Sequence, residues 1–151
     1  MKTLADLSVR QSIVDRIARV QPERKALWGR MSAHQMLCHL ADSFRSALGE
    51  KEVSPATGLL QRTLVKWIAL YVPIPWPKNL PTRPEVEQGA GGTPPTDFER
   101  DRAGLLLLLQ RFSGPRGVQM RPHPLFGDMR VSERQRWGYL HMDHHLRQFG
   151  V

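Results

Sequence analysis

Only one cysteine, Cys38, stands among the 151 residues, so an internal disulfide is excluded. That usage suits a reducing compartment, and a cytoplasmic location is the expectation. No basic start followed by an apolar stretch is present, so no secretion signal is expected. The apolar run Leu105–Leu109 is far too short to cross a bilayer, and no membrane partner is expected. Acidic residues are the scarcer charge, with 14 Asp and Glu against 22 Lys and Arg, for a net charge of +8. No stretch of five or more basic residues occurs, and no alternation of aromatic with basic residues forms a stacking platform. A nucleic-acid partner is therefore the least favoured reading of the charge. GAGG at 89–92 has no flanking strand or lysine, so it is not a phosphate loop. G-x-S-x-G and C-x-x-C are absent as well.

What is present is helical periodicity, with a hydrophobic content of 40% that argues against disorder. The length fits one domain, 1–151. A first helix is predicted over about Leu7 to Val20, with Leu7, Ile13, Ile17 and Val20 recurring at helical spacing. Pro22 to Arg24 follow as a short turn, and Trp28 is expected in the core. A second helix opens at Ser32, where Gln35 three residues on completes a capping box. Leu37, Leu40, Phe44 and Leu48 form its stripe, and Gly49 supplies the left-handed stop. A third helix is predicted over Pro55 to Tyr71, with Leu60, Leu64, Trp67 or Ile68, and Tyr71 facing inward. Five prolines between Val72 and Pro84 forbid its continuation and are read as a rigid crossover rather than a lid. Glu85 to Pro95 reads as a mobile loop.

A fourth helix runs from a Thr96–Glu99 capping box to Phe112, stopped by SGPRG. Its LLLLLQRF segment is apolar nearly all round, which predicts the most buried helix of the chain. The segment RPHPLFGDM follows as a loop holding His123. The fifth helix is predicted to start at Ser132, with Gln135 as its reciprocal cap. Trp137, Leu140, His141, His144, His145 and Gln148 are placed on its inner side. The expected fold class is all-α: a four-helix bundle with a long Pro-rich crossover and a short extra helix or turn.

Three of the six histidines lie in the C-terminal LHMDHHLRQFGV. His141 and His145 are four apart, so a helix stacks them on one face beside Trp137. Two imidazoles brought together in a partly apolar core are each costly without a partner, and a shared cation removes that cost. His39, on the second helix, can supply a third nitrogen and leave a coordination position open. His39, His141 and His145 are thus the candidate metal ligands, a set of imidazoles that suits zinc, nickel, copper or iron. Asp42, three residues beyond His39, is the candidate to orient it, and Asp143 is the other nearby carboxylate. Asp42 and His144 are the candidate catalytic residues, orienting ligands or shuttling protons. His34 and His123 rank below these as ligands.

The segments WGRMSAHQMLCHLAD, PWPKNLPTRPE and HPLFGDMRVSERQRWGYLHMDHHLRQFG, in that order, resemble the DinB-like (YfiT-like) superfamily. The resemblance covers about residues 8 to 150 and is strongest to a branch known mainly as a domain of unknown function. It implies a four-helix bundle, often a homodimer. It also implies a nickel or zinc ion held by one histidine of the second helix and an H-x-x-x-H pair of the last. His39, His141 and His145 fall on those positions, and Arg147 with Gln148 fall on the arginine–glutamine ending. The chain departs from the pattern with Leu146 before Arg147 and no glycine directly after Gln148. Some members of the superfamily are thiol-S-transferases and others resemble metal-dependent hydrolases. The functional expectation is a metal-dependent enzyme of either type, acting on a small molecule, with an anionic thiol as a candidate. Arg147 at the pocket mouth is a candidate to receive the anion. The alternative is a non-catalytic helical module for dimerisation or binding, with a structural or vestigial metal.

Overall fold

In the computed structural model, residues 1–114 and 121–151 are described. Their secondary structure is helical, with five α-helices and no strand among the described residues: α1 Leu7–Ala18, α2 Ala33–Ala47, α3 Lys66–Tyr71, α4 Phe98–Ser113 and α5 Val131–Gln148. The Pro115–Gly117 part of the expected SGPRG stop lies outside the described residues.

Local chemistry sets most of the boundaries. Asp6 caps α1 by accepting from the Ser8 and Val9 amides. Ser32 and Gln35 form the expected capping box of α2, with bonds of 3.1 and 2.9 Å. Gly49 ends that helix region with φ +79°, a conformation costly for a residue with a Cβ.

Two predicted caps are corrected. Asp97, not Thr96, caps α4 by accepting from the Arg100 amide at 2.8 Å, while the Thr96 amide turns to Asp101 at 2.9 Å. A carboxylate next to a hydroxyl offers the stronger acceptor for the orphan amides. Helix α5 starts at Val131, and Glu133 rather than Gln135 reaches back, accepting from the Arg130 amide at 2.8 Å.

The most buried helix is α2, not α4. Ten of its residues are buried, against Leu105, Leu108, Leu109 and Phe112 of α4. Helix α2 lies against both α4 and α5, so more of its circumference is covered. Leu107 of the leucine run remains 61% exposed. The core joins Ile13 and Ile17 of α1, Met36, Leu37, Leu40 and Phe44 of α2, the inner leucines of α4, and Met142 and Leu146 of α5.

The third helical segment departs furthest from expectation. Helical backbone begins at Leu59, not Pro55, and passes through a π stretch, Gln61–Val65, before α3. Helical periodicity points Leu60, Leu64 and Trp67 inward, yet they are 57%, 52% and 56% exposed, and Ile68 is exposed too. Leu70 is the fully buried residue of this segment. Helix α3 packs on α5, and the opposite stripe has no cover among the described residues.

The proline-rich segment runs extended from α3 to a 3₁₀ turn, Pro84–Val86. The Trp76 indole N–H donates to the Ala69 carbonyl at 2.9 Å, which folds the segment back over the end of the helix pair. The loop expected to be mobile is tied down. Thr93 donates to Asp42 from its amide and hydroxyl, both at 2.7 Å, and Lys51 donates to the Gly91 carbonyl. No helix is long and apolar enough to cross a membrane among the described residues.

Candidate metal centre

Helices α2 and α5 bring His39, His141 and His145 together. The ring centroids are 5.3 Å apart for His39–His141, 4.8 Å for His39–His145 and 4.9 Å for His141–His145. One ring nitrogen from each lies within 4.8 Å of the others. The arrangement can hold a metal ion.

Hydrogen bonds fix which nitrogens are available. His39 Nδ1 lies 3.0 Å from the Val86 carbonyl, which can only accept, so Nδ1 carries the proton and Nε2 keeps its lone pair. His145 Nδ1 lies 2.8 Å from Gln148 Oε1, while Gln148 Nε2 donates to the Trp28 carbonyl at 2.7 Å. That second bond sets the amide orientation, so the same logic leaves Nε2 of His145 free. His141 differs, since its Nδ1 is buried with no hydrogen-bond partner. A buried polar nitrogen without a partner is uncommon and costly, and a cation nearby would answer it.

Burial keeps the rings neutral. It pushes His39 below the ordinary imidazole range, against the opposing pull of the Val86 carbonyl and Asp42. Burial, and then the proximity of the other rings, holds His141 and His145 well below it. A neutral imidazole is the form that binds metal.

The trio opens onto a cavity of about 840 Å³, large enough for a small organic molecule. Trp28, Trp76 and Trp137 line it beside the histidines. Trp137 stacks on His141 with ring centroids 5.2 Å apart. Trp76 lies 6.2 Å from His141 and 6.1 Å from His144. Trp28, expected in the core, is a half-buried wall of this cavity, edge-on to His144 at 5.9 Å. The proline-rich segment therefore also forms one side of the site.

Several expected roles are redistributed. Asp42 does not hydrogen-bond His39. Its fully buried carboxylate accepts from Thr93, Arg45 and Lys51, and the orienting bond to His39 comes from the backbone of Val86 instead. Asp143 is drawn away by Arg16 at 2.7 Å. Arg147 pairs with Asp143 at 3.8 Å and does not line the cavity, whose cationic residues include Arg30, Arg83, Arg121 and Arg134. His144 stays at the cavity wall, and burial followed by the nearby Arg147 lowers its pKa.

His123 also lines the cavity. Its Nδ1 accepts from the Leu125 and Phe126 amides, both at 3.1 Å, and burial pushes its pKa down to about 3. His34 pairs with Asp101 at 2.7 Å, away from the trio. Gln148 and the Val86 carbonyl are the orienting groups that residue types alone did not assign. Gln148 lies three residues after His145, the spacing at which helical side chains meet, and that spacing was the available signal.

Among the described residues, the molecule is thus an all-helical protein whose neutral histidines, drawn from two helices, can share one ion at the floor of a cavity. The chain belongs to the DUF1569 family, described as proteins of unknown function, and the match runs over residues 3–150. No curated protein and no solved structure matches the chain.

Proposed function

We propose that this protein is a metal-dependent enzyme of the hydrolase or thiol-S-transferase type, with His39, His141 and His145 holding Zn²⁺ or Ni²⁺. The observation that carries the reading is the buried meeting of three neutral imidazoles, one with a nitrogen that has no partner, at the floor of an open cavity. Its supports include the DinB-like resemblance, under which α1, α2, α4 and α5 are the four-helix bundle and the 59–84 segment is its crossover. A divalent cation held there would lower the pKa of a water or substrate thiol that reaches it. The chain's own residues do the rest. Val86 and Gln148 hold two of the rings in the correct tautomer, and the three tryptophans exclude water around the reacting group. His144 at the cavity wall takes or returns a proton at its ring nitrogen. The lining arginines favour an anionic substrate, an anionic thiol among them.

The test is metal analysis of protein purified without a histidine tag, followed by reconstitution and screens for ester hydrolysis and thiol transfer to a generic electrophile. The trio should account for about one equivalent of tightly held Zn²⁺ or Ni²⁺, present in the wild type and missing from the metal content of His141→Ala. Less than about a tenth of an equivalent, with no binding on reconstitution, would end the proposal.

The homodimer implied by the resemblance is proposed to form through the exposed stripe of Leu60, Leu64, Trp67 and Ile68, since contiguous exposed apolar surface marks interfaces. Light scattering on the full chain should give twice the 17.3 kDa monomer mass, and Leu64→Glu should give the monomer.

A further inference from the structure

Helix α2 presents a second group of potential ligands on a different face. His34 and Cys38 are four residues apart, so they share one side of the helix. Asp101 of α4 reaches between them. Its Oδ2 lies 2.7 Å from His34 Nε2 and 3.7 Å from Cys38 Sγ. One ligand atom from each of the three residues lies within 4.8 Å of the others. His39, next in sequence to Cys38, lies about 100° round the helix and belongs to the trio described above.

We propose that His34, Cys38 and Asp101 form a second divalent-cation site, suited to a thiophilic ion such as Zn²⁺. The donor set carries the assignment. An imidazole, a thiolate and a carboxylate are the three ligand types zinc uses, and thiolate plus carboxylate balance a double positive charge. The histidine trio offers only neutral nitrogens, so the two sites differ in charge and in softness. A cleft of about 380 Å³ lies against the cluster, lined by Cys38, Arg45, Thr93, Arg100 and Asp101 among others. It supplies an entry path and room for a fourth ligand. Arg45 is already committed to Asp42 at 3.0 Å, which reduces its opposition to a cation.

Without a metal, the Cys38 thiol is inert. Burial and the adjacent Asp101 carboxylate push its pKa up to about 12. On binding, the Cys38 S–H proton leaves to solvent, the Nε2 proton that His34 donates to Asp101 is exchanged through solvent for one on Nδ1, and the freed Nε2, the thiolate and the Asp101 carboxylate turn to the ion.

Cys38 is the only cysteine, so any thiolate signal reports this site alone. The full chain, stripped of metal with EDTA, is titrated with cobalt(II) chloride. The expected result is a thiolate-to-cobalt charge-transfer band in the near ultraviolet that saturates once both sites are filled, at about two equivalents in the wild type and about one in His141→Ala. The band should vanish in Cys38→Ser, weaken by about tenfold or more in affinity in His34→Ala, and persist in His141→Ala. Zinc should also protect Cys38 from iodoacetamide in partly unfolding urea. Absence of the band in folded wild-type protein, with folding checked by circular dichroism, would overturn the proposal. A band lost in His141→Ala but kept in His34→Ala would do the same, because the thiolate would then serve the other site. Loss of the trio's metal alone leaves the band in place, so the two sites fail independently.

Discussion

Gln148 accepts a hydrogen bond from His145 Nδ1–H on its Oε1 at 2.8 Å, three residues along the same helix. Its amide nitrogen is spent on the Trp28 carbonyl, so the side chain cannot flip without losing both bonds. One glutamine thereby fixes the tautomer of a candidate ligand and joins α5 to the cavity wall. Removing it in Gln148→Leu should lower zinc affinity by about 10- to 100-fold, the cost usual for an outer partner of a ligating histidine. Gln148→Glu keeps the acceptor and should bind at least as tightly as Leu. Competition with a chromophoric chelator reads both, and equal affinities for wild type and Leu would remove Gln148 from the site.

The same cluster dictates a pH dependence. His39, His141, His144, His145 and His123 are all held below the ordinary value of 6.5 in the folded chain. Unfolding lets each take up a proton, so the unfolded state binds more protons below that value. The stability from keeping them neutral is complete above pH 6.5 and is lost as the pH falls toward the folded values, about 3 for His123. Each histidine contributes a slope of up to about 1.4 kcal/mol per pH unit inside its window. Urea unfolding of metal-free protein should give a midpoint that falls steeply below about pH 6.5, with His141→Phe flattening the curve. A midpoint that rises on acidification would contradict the neutral assignment.

The features legible in the sequence were those that depend on near neighbours. Ser32 and Gln35 announce the start of α2 because a capping box is closed within four residues. His141 and His145 announce a shared face for the same reason. Competition between adjacent signals was harder to read. Thr96 and Asp97 both favour a cap, and only the folded turn shows Thr96 given to Asp101 and Asp97 to the helix. Periodicity showed an apolar stripe on the third helical segment but not what covers it, and in the folded chain Leu64 and Trp67 face outward. Sequence pairs His39 with Asp42 because both side chains carry suitable chemistry three residues apart. The group that holds it is a backbone carbonyl, which every residue has and no sequence pattern marks.

Two helical glycines make opposite predictions. A Cβ on Gly138 of α5 would meet Phe112 Cε1 at 2.7 Å and Leu4 Cδ1 at 2.8 Å, both in the packed core. Gly138→Ala should therefore destabilise by about 1–3 kcal/mol despite the better helix propensity of alanine. A Cβ on Gly104 of α4 meets nothing within 4 Å. Gly104→Ala should stabilise by about 0.5–1 kcal/mol. Urea midpoints at fixed pH separate the two, and matching signs would show that the α4–α5 approach is looser than these distances require.

Asp42 offers the sharpest separation of scaffold from site. Its carboxylate is completely buried and accepts from Arg45, Lys51 and both donors of Thr93, closing the 85–93 loop onto α2. Those partners, outweighing the cost of burial, hold its pKa below the usual carboxylate value. Asp42→Asn removes the charge and turns one acceptor into a donor facing other donors. Arg45 and Lys51 are partly exposed and can rehydrate, so the loss of stability should be about 2–3 kcal/mol, at or below the lower end of the roughly 3–5 kcal/mol range for a broken buried pair. Zinc affinity, measured where the variant is fully folded, should stay within about threefold of wild type, far less than the loss expected for an outer partner of a ligand. The reason is that Val86, which holds His39, keeps its own anchor: its amide donates to the Arg83 carbonyl at 3.0 Å. A tenfold loss of affinity with stability intact would return Asp42 to the orienting role its sequence position suggested.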